Sequence, residues 1–274
     1  MSLALGKIGP VMLVGAGKMG VALARGWLDA GLPPSNLIVV HPRPGEALLE
    51  LAEGYGLTLS TEASGLSPNV LVVGVKPQVM DSVLESLAPV IAPHTLVVSI
   101  AAGIDLARLA SKAGTQRIMR TMPNTPVQVR KGITGVVPGR DVTAEDRVSM
   151  DALLSASGEV VWLEDEAQLD ALTAVSGSGP AYIFHMVEAL AAAGKRQGLP
   201  DDIAELLARG TVIGAAALMD AGDVSPTELR ENVTSPKGAT AAGLAILMGE
   251  PGLTELMDRT VAATRRRTEE LGRI

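Results

Sequence analysis

The chain of 274 residues contains no cysteine. Disulfides, thiolate metal ligands and a cysteine nucleophile are therefore excluded. Aromatic residues make up only 2%, so a core drawn from the 47% of hydrophobic residues must be aliphatic and alanine-rich. Basic charge is also short, with 23 lysines and arginines against 30 acidic residues and a formal net charge of −7. A nucleic-acid binder usually shows a basic patch or stripe. The one dense basic run, Arg265-Arg266-Arg267, has Glu269 and Glu270 close by and reads as a solvated helix face. No nucleic-acid partner is expected. His41, His94 and His185 are scattered without metal-ligand spacing and read as surface or packing residues. No metal is expected. No apolar run approaches the ~18 residues of a membrane span. The N-terminus lacks a charged region followed by a hydrophobic one. The expectation is a soluble cytoplasmic protein with no membrane partner.

What is present is a pattern of short apolar runs alternating with helical segments. Val11–Val14, Leu37–Val40, Val70–Val73, Leu96–Ile100 and Arg117–Arg120 read as strands. Continuous β-branched runs suit parallel strands buried on both faces. Strands alternating with helices imply βαβ units and a doubly wound, mostly parallel α/β sheet of Rossmann type. One more β-α-β unit is expected from Gly135-Val136-Val137, a helix from about Thr143, and Val160-Val161-Trp162. After about Glu164 strand signals stop and alanine-rich helices take over. Ser225-Pro226-Thr227-Glu228 reads as a capping box that starts one of them. The predicted division is a dinucleotide-binding domain over 1–164 and an all-α domain over 165–274. The long apolar helical faces and scarce large side chains favour a dimer.

Gly15-Ala16-Gly17-Lys18-Met19-Gly20 follows the first strand and opens a helix. Gly15 permits the tight turn, Gly17 lets the backbone approach a pyrophosphate, and Gly20 allows close helix–strand packing. The helix N-terminus attracts the negative charge. All six residues are candidate cofactor contacts. An acid at the end of the second strand would mark NADH. Here the sequence is Val40-His41-Pro42-Arg43-Pro44, with no carboxylate before Glu46. Arg43 is either a 2′-phosphate ligand, through its planar fork, or a solvated loop residue. The expected cofactor is NADPH, with NADH as the alternative. Val75-Lys76-Pro77, Ala101-Ala102 and Met122-Pro123-Asn124-Thr125-Pro126 follow three successive strands. Ligands in open α/β sheets bind at the carboxyl ends of strands, so these loops converge on one edge, and Val75, Lys76, Pro77, Ala101, Ala102 and Asn124 are candidate cofactor contacts.

Val175-Ser176-Gly177-Ser178-Gly179-Pro180-Ala181-Tyr182 and Val233-Thr234-Ser235-Pro236-Lys237-Gly238-Ala239-Thr240 complete the set. Together with Val75-Lys76-Pro77 and Met122–Pro126 they resemble pyrroline-5-carboxylate reductase, in the same order along essentially the whole chain. The resemblance implies a Rossmann domain followed by a helical dimerisation domain, with 1-pyrroline-5-carboxylate and proline as substrate and product. It also implies a homodimer, assembled in some members into decamers. Substrate-binding candidates by this resemblance are Ser178, Thr234, Ser235, Gly238, Ala239 and Thr240. Ser235 and Thr240 are the catalytic candidates, with Thr240 near the imine nitrogen. Asn232 matches a position facing the cofactor, and Thr61 stands where the family has an asparagine near the adenosine ribose. There is one departure. The family commonly has two glycines after the serine–proline pair, and this chain has Lys237-Gly238. The lysine either adds charge near the substrate carboxylate or points to solvent, and a glycine there is free to take φ > 0.

The helix from Gly177 to Glu188 carries no lysine. A ketone reductase would need a proton donor for its alkoxide. A cyclic imine can be protonated before hydride arrives, so a neutral hydroxyl such as Thr240 is enough to orient it. Thr240 alternatively only caps its helix. Two rival classes share the fold: another NADP-dependent imine or β-hydroxyacid reductase, and a non-catalytic dinucleotide sensor.

Overall fold

A computed structural model describes residues 5–272. The strands are β1 (Val11–Val14), β2 (Leu37–Val40), β3 (Leu59–Ser60), β4 (Val70–Val73), β5 (Leu96–Ser99), β6 (Ile118–Pro123), β7 (Gly132–Pro138) and β8 (Gly158–Trp162). They form one sheet in the order β3-β2-β1-β4-β5-β6-β7-β8. All neighbours are parallel except β6 and β7. The expected α/β sheet is therefore present, and β7 and β8 are the parallel pair of the expected last β-α-β unit. The two-residue β3 was missed because Leu59-Ser60 is too short and too polar to signal a strand.

The helices on the sheet are α1 (Lys18–Asp29), α2 (Glu46–Tyr55), α3 (Met80–Leu87), α4 (Leu106–Ala113), α5 (Ala144–Ser155) and α6 (Glu166–Leu172). Strand side chains alternate between faces, which makes two cores from one sheet. Val11 and Leu13 of β1 pack with Leu23 and Trp27 of α1, Leu51 of α2 and Leu153 of α5. Met12 and Val14 pack on the other side with Met80 and Leu84 of α3 and Leu109 of α4. Trp27 is fully buried, the largest of the side chains in this aliphatic interior. Burying a leucine or valine is worth ~1.5–3 kcal/mol, so the alternation along β1 and β4 supplies much of the force that closes both layers.

The remaining helices are α7 (Gly179–Arg196), α8 (Asp201–Asp220), α9 (Pro226–Asn232), α10 (Ala239–Leu247) and α11 (Leu253–Gly272). Ser225 Oγ accepts the Glu228 N–H at 3.2 Å and Pro226 stands in the first turn of α9. Among the described residues no return bond from the Glu228 side chain is made, so the cap is half of the expected box. The arginine run lies on α11, where Arg265 pairs with Glu269 and Arg267 with Glu270.

The chain packs as two compact units, Ser178–Thr264 and the rest. The line drawn from sequence at 164/165 thus falls before α6, which is bound to β6 by its own charges. Arg120 of β6 pairs with Glu166 and Asp170 of α6 at 2.9 and 2.8 Å. The helical unit buries few hydrophobic residues, Ala191, Ala204 and Ala208 among them, and leaves Phe184, Leu206, Ile213, Leu218 and Ile246 exposed. An apolar surface of that kind marks an interaction site. Among the described residues no helix is long and apolar enough to cross a membrane.

Candidate active site

β1 ends at Val14 and α1 begins at Lys18, so the glycine loop turns between strand and helix. Gly15 has φ +84°, and a Cβ there would lie 2.6 Å from Val75 Cγ1. Only glycine fits that turn. Gly17 is the N-cap of α1, no side chain caps the helix, and a Cβ on Gly17 would meet nothing within 4 Å. The first amides of a helix lack intrahelical partners. Here they stand beside open space, as a pyrophosphate requires.

Beside this loop opens a cleft of about 700 Å³. Gly15, Gly17, Thr61, Val75 and Lys76 line it. His41, Pro42 and Glu62 line it as well, at the ends of β2 and β3. These were not foreseen, because a lone histidine and an acid beside an unrecognised strand carry no motif. His41 Nδ1 accepts the Arg43 N–H at 3.2 Å, which leaves Nε2 to carry the ring proton. The Arg43 side chain is exposed and is not part of the cleft wall. Ala16, Lys18, Met19 and Gly20 belong to the loop and first turn of α1 rather than to the wall. The walls and the open amides fit a dinucleotide: small residues next to the loop, and polar groups at the far ends of β2 and β3.

Pro77 starts a short 3-10 turn after Lys76. Ala101 is buried and Ala102 half-buried in the loop after β5. Asn124, after β6, is buried, and its hydrogen bonds go to protein. Its Oδ1 accepts the Ile133 N–H at 2.9 Å, and its Nδ2 donates to Ser176 Oγ at 3.0 Å. Ser176 sits in a π-helical turn, Thr173–Gly177, between α6 and α7.

In the helical unit, the expected substrate residues other than Ser178 follow one another along the loop after α9 and the start of α10. Asn232 ends α9. Thr234 Oγ1 donates to the Arg230 carbonyl at 2.6 Å, so its proton is engaged. Ser235 O accepts the Gly238 N–H at 3.0 Å, closing a four-residue turn with Pro236 second and Lys237 third. Lys237 has φ +61°. Proline second and φ > 0 third are the marks of a type II turn, which normally takes glycine at that third position. Gly238 is the N-cap of α10 in extended conformation, with no side-chain cap. Thr240 is exposed at the second residue of α10, so it is not the cap. Ser178 precedes α7 and makes no side-chain cap there.

A family model described as pyrroline-5-carboxylate reductase dimerisation matches residues 166–271. One described as NADP oxidoreductase coenzyme F420-dependent matches residues 10–103. The pyrroline-5-carboxylate reductase of Pseudomonas aeruginosa is 38% identical over 264 residues, covering 95% of this chain and 96% of that protein. The chain belongs to the pyrroline-5-carboxylate reductase family. The enzyme of Pisum sativum is likewise 38% identical, over 93% of this chain and 94% of its own. A pyrroline-5-carboxylate reductase structure from Coxiella burnetii superposes with a TM-score of 0.90 at 32% identity, covering 97% of this chain and 99% of that one. A pyrroline carboxylate reductase of Plasmodium falciparum with NADP bound gives 0.80 at 26%, covering 97% and 98%. The chain is an oxidoreductase that reduces pyrroline-5-carboxylate to proline with NAD(P)H. Its helical part matches the family's dimerisation model, which supports self-association through the uncovered apolar side chains.

Proposed function

We propose that the chain is an NADPH-preferring reductase of 1-pyrroline-5-carboxylate, working in the cytoplasm as a homodimer from which decamers of five dimers can be built. Residues 1–164 hold the cofactor, and residues 165–274 dimerise and bind the substrate. One observation carries the substrate reading: α10 begins at an uncapped glycine with Thr240 exposed one residue beyond Ala239. Free amides at a helix start suit a carboxylate. A threonine hydroxyl can donate to or accept from the ring nitrogen. Ser235 and Ser178 add hydroxyls, and Thr234 and Asn232 frame the loop.

NADPH, when bound, supplies the hydride. The protein holds the carboxylate at Gly238, Ala239 and Thr240, and holds the nitrogen with Thr240. The protonated imine already bears the proton that the product amine keeps, so no strong protein acid is needed. Thr61 and the turn His41–Arg43 would hold the adenosine end. His41 presents a ring N–H and Arg43 a cation, and both suit a 2′-phosphate. Consumption of NADPH on adding 1-pyrroline-5-carboxylate, with proline as product, is the test. NADH is run beside it, and light scattering gives the assembly. Equal kcat/KM for the two cofactors would reject the preference, an active monomer would reject the dimer, and no proline would reject the substrate.

A further inference from the structure

Asn124 stands after β6, whose carboxyl end belongs to the ligand edge of the sheet. Its side chain nevertheless spends both ends on protein. The Oδ1 takes the Ile133 N–H at 2.9 Å, and the Nδ2 reaches Ser176 Oγ at 3.0 Å and the Ser176 carbonyl at 3.3 Å. Three segments are joined by one amide: the end of β6, the start of β7, and the π turn Thr173–Gly177. The next residue of the turn is held by the same strand. A Cβ on Gly177 would lie 3.0 Å from Met122 Cε, so the turn packs directly on β6. π turns are rare and recur at functional sites, because they redirect backbone groups out of the helical ladder. This one lies where α6 gives way to Ser178 and α7.

We infer that Asn124 is a positioning residue for hydride transfer, acting through Ser176 to fix the π turn at the carboxyl edge of the sheet. It holds the carbonyl and hydroxyl of Ser176 beside the end of β6. Hydride transfer needs reacting atoms about 3–3.5 Å apart, and a displacement of about 1 Å can cost about a hundredfold. A turn that slackens by that much lowers the rate of the chemical step without removing a cofactor contact. The inference rests on the reductase activity stated above. Wild-type turnover in the same assay separates a failure of that activity from a failure of this assignment.

The test uses Asn124→Ala, Ser176→Ala and the double variant, each as full-length protein. Asn124→Ala is expected to lower kcat about tenfold while the NADPH dissociation constant changes less than about threefold. In the unliganded protein, amide exchange of residues 173–177 is expected to quicken about tenfold. Ser176→Ala is expected to reproduce about a threefold part of the kcat loss, and the double variant to be no worse than Asn124→Ala. A rise in the NADPH dissociation constant that accounts for the lost kcat/KM would overturn the inference and make Asn124 a cofactor ligand. A lowered melting temperature with unchanged kcat would overturn it in favour of a purely structural tie. If Asn124→Ala does not fold, Ser176→Ala decides alone. A fall in kcat with faster exchange in the turn supports the inference, and unchanged values of both reject it.

Discussion

The buried guanidinium of Arg120 is shared between Glu166, at 2.9 Å, and Asp170, at 2.8 Å. Glu166 also accepts the Leu106 N–H at 2.8 Å, so the same carboxylate reaches the start of α4. The arginine side chain is 4% exposed, while the two carboxylates are 31% and 22% exposed. Arg120→Met keeps the bulk and leaves two carboxylates facing each other. Breaking a buried pair costs ~3–5 kcal/mol, and partial solvation of the acids places this one near ~3 kcal/mol. Urea unfolding measures it. A loss below ~1 kcal/mol would show that the cluster behaves as a surface pair.

Acid should loosen the β6–α5 region through Asp146. Arg117 reaches its two oxygens at 2.9 and 2.7 Å, and the Thr143 N–H adds a third bond at 2.9 Å. Burial alone would raise this carboxyl's pKa, but the bonds from Arg117 and Thr143 outweigh it and hold the value below the ordinary 3.8. A folded pKa below the unfolded one gives stability that is complete above the unfolded value and vanishes as pH falls through the folded one. Asp146→Asn should therefore cost ~1–3 kcal/mol at neutral pH. Its deficit against wild type should shrink once pH drops below about 4. Unfolding midpoints taken down to acid pH check the sign, and a deficit that widened there would refute it.

Thr240→Ala separates catalysis from helix capping. Gly238 occupies the cap position, so loss of the hydroxyl should leave the melting temperature and NADPH affinity unchanged. The expected loss in kcat/KM is about ten- to a hundredfold, or about 1.4–2.7 kcal/mol. Full activity in the folded variant would remove Thr240 from the reaction.

Lys237→Gly tests the strained turn. A left-handed L-residue costs about 1–2 kcal/mol, and glycine gives back about 0.5–1 kcal/mol through its freer unfolded chain. Thermal unfolding should show a net gain of roughly 0.5–1 kcal/mol. The Michaelis constant for pyrroline-5-carboxylate reports separately on the ammonium. A rise of about tenfold would place its charge at the carboxylate, and no change would place it in solvent.

Arg43→Ala addresses the cofactor. The Michaelis constant for NADPH should rise about tenfold or more, and that for NADH should hardly move. Equal changes would remove Arg43 from the 2′-phosphate site.

The sheet was legible because β1, β4 and β5 are unbroken apolar runs, buried on both faces, and such runs have few other stable homes. The glycine loop was legible because Gly15, at φ +84°, answers a steric demand of the backbone itself, while Gly17 leaves open space at the start of the helix. The wall made by His41 and Glu62 was not legible, since it depends on where the two-residue β3 pairs with β2. Asn124 shows a further limit. Its position after β6 suggested a cofactor contact, but its partner Ser176 lies 52 residues away, and no local pattern joins them. Lys237 could be read as a departure from two glycines, yet only its φ of +61° shows that the turn keeps the glycine conformation with a lysine in it.

The bare leucines and isoleucines of α7, α8 and α10 make maturation of this enzyme depend on an encounter between chains. Pairing of the strands within one chain is a first-order event. The helical half becomes dry only when two chains meet, so the last step is second order and slows on dilution. Protomer concentration therefore enters the apparent stability directly, and a single melting temperature quoted without it describes a preparation rather than the polypeptide.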